Sequence, residues 1–305
     1  MAKRAPASTV PEPLFHAFKR DVPSAAECLN RLYEVYAHTT VSYGWCRQCF
    51  DLEQEQQMRG LRAVREAPLA AFSGIYFEHP NCSGGASTFL HWLPRGLELG
   101  FFDPDIDPDL IEQSMRVGLW HRPTEEQAAL RDVFCRVAIN WFAAGNTAPM
   151  QVPDSASGVL YGPSFISRRI ITALLYLRVD PAELFDWLIA LESSRAWHCL
   201  LDLVQENCVV QGPVYYVLED EANKVLMFKA HAALDRLVRN ALHAAVTDDR
   251  LAEYWLRWQE NEPALAQRAA DAESMIASYA FELNADERRA DEQLIRTALD
   301  TAMIG

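Results

Sequence analysis

Cys46 and Cys49 flank two residues in Trp45-Cys46-Arg47-Gln48-Cys49-Phe50, and His79 and Cys82 repeat that gap after 29 intervening residues. Thiolates and imidazoles are the usual ligands of zinc, and a two-residue gap places a pair of them on one turn. Together the four make the donor set of a structural Cys3His knuckle. The spacer is longer than in common fingers, and neither pair carries a glycine-rich turn. A packing alternative stays open, with Trp45, Cys46, Cys49 and Phe50 at a helix start and His79 and Cys82 in an exposed loop. A dithiol redox role would need a strand-to-helix setting of the thioredoxin type, and the flanking residues show none.

A second group is His91, Trp92 and Arg95, which with Trp120 and His121 would line a pocket or meet a partner. Arg95 needs a carboxylate, an anion or a partner in such apolar company, and Glu98 is the internal choice. Cys82-Ser83-Gly84-Gly85-Ala86-Ser87 lacks the Gly-Lys-Ser/Thr of a phosphate loop and reads as a turn with Ser87 as helix cap. Asp103, Asp105, Asp107 and Asp109 lack the glycine and glutamate of a calcium loop and read as a capping segment. No His-Glu-x-x-His, nucleophile-elbow or dinucleotide motif occurs, so no residue is assigned a catalytic role.

The elements that must position these groups are helices. Half of the 305 residues are hydrophobic and only 13 are glycine, a composition that favours helix over strand. Apolar spacing, helix-prone composition and capping residues predict helices over 25–38, 51–65, 87–99, from 107, from 124, 164–177, 181–192, 197–206, 222–246, 248–259, 263–279 and 285–303. Ser/Thr/Asp/Asn caps support several starts, including Thr124 with Gln127, Asp180 before Pro181, and Asn284 with Glu287. Cys28, Cys135 and Cys199 fall on apolar helical faces and read as small core residues. Trp187, Trp197, Trp255 and Trp258 have core-compatible spacing, and the Tyr254–Trp258 stripe would be a binding hot spot if exposed. The expected fold is all-α, an irregular antiparallel helical bundle or HEAT-like stack of about ten helices. Residues 1–13 read as a disordered arm, 14–145 as an N-terminal half, 146–163 as a linker and 164–305 as a C-terminal half.

Residues 28 to 142 resemble an uncharacterised bacterial family. Cys46 and Cys49 match the outer positions of its cysteine cluster, with Gln48 where the family often has another cysteine. Phe89, Trp92, Leu93, Pro94 and Arg95 match its aromatic-Leu-Pro-Arg helix. Arg116, Trp120, Pro123, Glu126 and Ala129 match a following Trp- and Pro-containing segment. The resemblance implies an all-helical fold and no particular activity.

The formal charge is −14, and residues 247–305 hold 13 acidic side chains against 6 arginines. Nucleic acid and anionic membrane are therefore poor partners, while a basic protein is a suitable one. Residues 1–13 carry Lys3 and Arg4 with no apolar run behind them, and seven cysteines is an odd number, which together suggest a cytoplasmic protein with reduced thiols. The expectation is a non-catalytic protein-binding chain of adaptor, inhibitor or immunity type with no cofactor. The alternative is a zinc-dependent or small-molecule enzyme built on the Cys/His set.

Overall fold

The computed structural model describes residues 12–61, 63–68, 75, 80–99, 110–143, 152–153, 160–161, 163–191, 193–205, 209, 221–278 and 282–301. Twelve α-helices lie among them: Ala25–Val35 (α1), Leu52–Gly60 (α2), Ala86–Leu97 (α3), Leu110–Arg116 (α4), Thr124–Ala143 (α5), Pro163–Tyr176 (α6), Pro181–Ala190 (α7), Ser194–Gln205 (α8), Glu221–Ala245 (α9), Asp248–Trp258 (α10), Pro263–Ser278 (α11) and Ala285–Thr301 (α12). The only paired strands among the described residues are Val152–Pro153 (β1) and Leu160–Tyr161 (β2), which are antiparallel. The fold is an all-α bundle or stack. No helix among the described residues is long and apolar enough to cross a membrane.

Local rules explain most boundaries. Ser24 and Glu27 form a reciprocal capping box at α1, and Asp51 and Gln54 form one at α2. Asp180 accepts the Ala182 and Glu183 N–H groups ahead of α7, and Asn284 accepts those of Asp286 and Glu287 ahead of α12. Two expected caps do other work. Gly85, not Ser87, caps α3, because the Ser87 hydroxyl is occupied with the Thr40 backbone at 2.8 and 3.1 Å. Gln127 closes no capping box on α5. Its amide donates to the carbonyls of Trp120 and Arg122 and accepts from Arg178. Pro94 lies inside α3 and does not start it.

Helices pair both with sequence neighbours, as α10 with α11, and with distant ones: α1 with α5, α8 with α11, and α9 with α12. One continuous apolar core includes residues of both halves. Phe18 meets Trp187 with ring centroids 4.5 Å apart, and the Trp120 indole donates to Tyr176 O at 2.7 Å. Cys28, Cys135 and Cys199 are buried in it, as expected. Trp187 and Trp197 are buried too, but Trp255 is 39% exposed and its neighbour Leu256 61%.

Residues 12–19 lie against the body. His16 pairs in parallel with Val179: its N–H donates to Arg178 O, and its carbonyl accepts from Asp180 N–H, both at 2.7 Å. Phe18 N–H donates to Glu183 at 2.8 Å. Arg178 is fully buried and ties this segment down through Glu12 Oε1 at 2.7 Å and the carbonyls of Pro13 and Leu14 at 3.2 and 3.3 Å. Its backbone adopts a left-handed φ of +59°, uncommon for a residue with a side chain. Residues 1–11 and most of the 146–163 linker lie outside the described residues, as do 212–218, whose sequence reads as a short extended piece, and the four alternating aspartates.

Candidate metal centre

Trp45 anchors the first arm of the site. Its indole is buried, donates to Ser42 O at 2.7 Å and meets Phe50 edge-on at 5.1 Å. The chain then turns back on itself, with the N–H groups of Cys49 and Phe50 donating to Cys46 O at 3.2 and 2.9 Å. Glu55, one turn into α2 and 1% exposed, reaches back to accept the Gly44 N–H at 2.7 Å. It also pairs with Arg47 and, at 3.1 Å, with Arg59. The Gly44 N–H first, and then the Arg47 guanidinium, hold its carboxyl below the usual range.

Pro80–Ser83, a single 3-10 turn, forms the second arm. It is closed by Gly85 N–H to Pro80 O at 2.8 Å and joined to the first arm by Cys46 N–H to Cys82 O at 2.9 Å. Gly84 makes the approach feasible. Its φ is +95°, and a Cβ there would stand 2.5 Å from Ser42 O and 2.8 Å from Thr88 Oγ1. Only glycine meets both demands.

This junction brings the sulfurs of Cys46, Cys49 and Cys82 within 4.8 Å of one another, all three half-buried. The backbone N–H groups of Gln48 and Cys49 turn toward the Cys46 sulfur and hold its thiol below the ordinary range; the Cys49 and Cys82 side chains add to this. Burial has the opposite effect on the core thiols: it raises Cys28, and pushes Cys135 up to about 11. The expected fourth ligand, His79, lies outside the described residues. In a tetrahedral zinc–thiolate centre, metal–sulfur bonds of about 2.3 Å place the sulfurs roughly 3.8 Å apart. A contraction of about 1 Å at most separates the three thiols from that geometry.

Arg95, His91 and Trp120 of the second predicted group are spent on internal contacts, while His121 Nε2 is buried without a hydrogen-bond partner among the described residues. Arg95 donates to Ala67 O at 2.9 Å and to Glu98 at 2.7 Å, and Glu98 also accepts from the Tyr33 hydroxyl. His91 sits 3.1 Å from Thr39 O and edge-on to Trp92. Trp120 instead faces His231, with centroids 4.9 Å apart. Burial lowers the pKa of both His91 and His121. Residue spacing showed neither Glu55 nor the close approach at Gly84. The one available signal was a capping box placing Glu55 just inside a helix that starts beside the cysteines.

No family model, curated protein or solved structure matches this chain.

Proposed function

We propose that Cys46, Cys49 and Cys82 hold a zinc ion, with His79 as the fourth ligand. The convergence of the three sulfurs carries this reading. Sequence-distant thiols meet across two separately built turns, and one of them is already biased toward the thiolate that zinc requires. Four protein ligands leave no open coordination position, so the metal's role is structural: it pins the loop before α2 to the turn before α3. The test is metal content of reduced protein purified without a metal-binding tag. One zinc per chain, lost in Cys46→Ser, supports the site; metal-free protein sinks it. Cobalt substitution then reads the fourth ligand, because His79→Ala should alter the visible d–d bands of a sulfur-rich tetrahedral centre.

A second reading, binding of a basic protein, draws on α10. Trp255 and Leu256 are exposed there, with Asp249, Glu253 and, just past the helix, Glu260 outnumbering the exposed Arg257 around them, an apolar anchor with a largely acidic rim. Lysine substitutions along α10 to α12 should slow association with such a partner, and the effect should shrink in high salt. Unchanged on-rates would exclude this surface.

A further inference from the structure

We propose that the sulfur cluster is also an oxidative modification site, at which a peroxide joins Cys46 and Cys49 in a disulfide and so expels the metal. The expulsion rests on the zinc reading; the disulfide does not. Three observations point this way. The sulfurs lie within 4.8 Å, so a thiol oxidised there has a second thiol at hand. The Cys49 N–H donates to Cys46 O, which folds the pair into one tight turn. Residues at the ends of such a turn have Cα atoms closer than about 7 Å, inside the range a disulfide spans. All three thiols are half-buried and so open to a small oxidant, whereas Cys28, Cys135 and Cys199 are 2%, 0% and 1% exposed.

The chemistry closes without another reactant. The Cys46 thiolate attacks one oxygen of the peroxide, the O–O bond breaks, and a sulfenic acid and a hydroxide result. The Cys49 thiolate attacks the sulfenic sulfur, the S–O bond breaks, an S–S bond forms and a second hydroxide leaves. The two sulfurs lose two electrons, the peroxide oxygens gain them, and two solvent protons complete two waters. A disulfide is a poor zinc ligand, so two of the metal's bonds vanish together. Cys82 then remains beside the new disulfide, tied to Cys46 through its backbone carbonyl.

Reduced protein of measured zinc content is treated with hydrogen peroxide. Released zinc is followed with a chromogenic chelator and the products by mass spectrometry. Trypsin cuts after Arg47, between the two cysteines, so a Cys46–Cys49 bond yields linked peptides. The expected result is a loss of two hydrogens at this pair, zinc release in step with it, and reversal by a dithiol. Sulfinic or sulfonic acid at Cys46 without a disulfide overturns the proposal, as does a dominant Cys46–Cys82 bond. Metal-free protein that still forms the Cys46–Cys49 bond supports the modification while removing the zinc reading. Zinc-loaded protein whose thiols resist peroxide does the reverse. Circular dichroism of the oxidised sample checks that the products come from folded chains.

Discussion

The sulfur junction and the core around Arg178 are both rich in polar groups, and they use them oppositely. Around Arg178, one guanidinium is spread over two backbone carbonyls, Glu12 and Gln127, all within 3.3 Å. Nearby, His231 is 1% exposed between the rings of Trp120 and Tyr176. Here most of the guanidinium's N–H groups meet complementary partners, Arg178 Nε being the exception, and the product is rigidity. At the junction three like groups face each other, half-open to solvent. Thiols are weak mutual partners, so their convergence adds little to the packing of the fold. Complementary pairing marks structure, and convergence of like donors marks a place for chemistry.

The contrast can be broken at its strongest point first. Arg178→Ala should destabilise the fold by about 2 to 4 kcal/mol, because it leaves the Pro13 and Leu14 carbonyls and Gln127 Oε1 without their donor. Arg178→Gly should cost about 1 kcal/mol less, because glycine relieves the left-handed backbone. Urea melts of the two variants measure both effects, and equal losses would mean that the backbone at φ +59° carries no strain.

Next comes His231. Burial lowers its pKa from 6.5 to about 3. The unfolded chain therefore binds a proton as pH falls through 6.5, while the folded one does not. Stability is full above that value, declines toward pH 3 and then levels. At pH 5 the loss from this group alone is on the order of 2 kcal/mol. His16, lowered to about 4 chiefly by burial, acts in the same direction. Denaturation midpoints at pH 7 and pH 5 should separate clearly in the native chain and less in His231→Gln. An undiminished separation would clear His231.

The remaining prediction sharpens the other side. Gly84→Ala should cost about 1 to 3 kcal/mol and reduce zinc retention, since its Cβ would push the two arms apart. Gly44→Ala shares a positive φ but meets nothing within 4 Å, so it should leave zinc retention intact. Equal zinc content in both variants would show that the close approach at Gly84 is unimportant.

The helices were legible because caps and apolar spacing act over a few residues. Asp180 before Pro181 and Asn284 with Glu287 are local chemistry, and they mark helix starts in sequence and structure alike. Cys46 and Cys49 were legible as a pair for the same reason. Their meeting with Cys82 depends on Gly84 tolerating contact with Ser42 and on the Cys46–Cys82 backbone bond, and neither has a spacing rule. The Thr124–Gln127 box failed because Gln127 finds better partners in Arg178 and the Trp120 and Arg122 carbonyls, the first of them set by tertiary packing. Trp255 was misplaced because helical spacing identifies a shared face without saying whether anything covers it.

The parallel contact of His16 with Val179 also sets an order in time. Phe18 and Glu183, which bond beside it, are 165 positions apart. At about 5 to 20 residues per second, residues 12–19 leave the ribosome roughly ten to thirty seconds before their docking site exists. During that interval Leu14 and Phe18, buried in the finished protein, have no surface to cover them. The segment is made well before the residues it docks on, so the nascent chain carries an exposed apolar stretch until α7 begins to form.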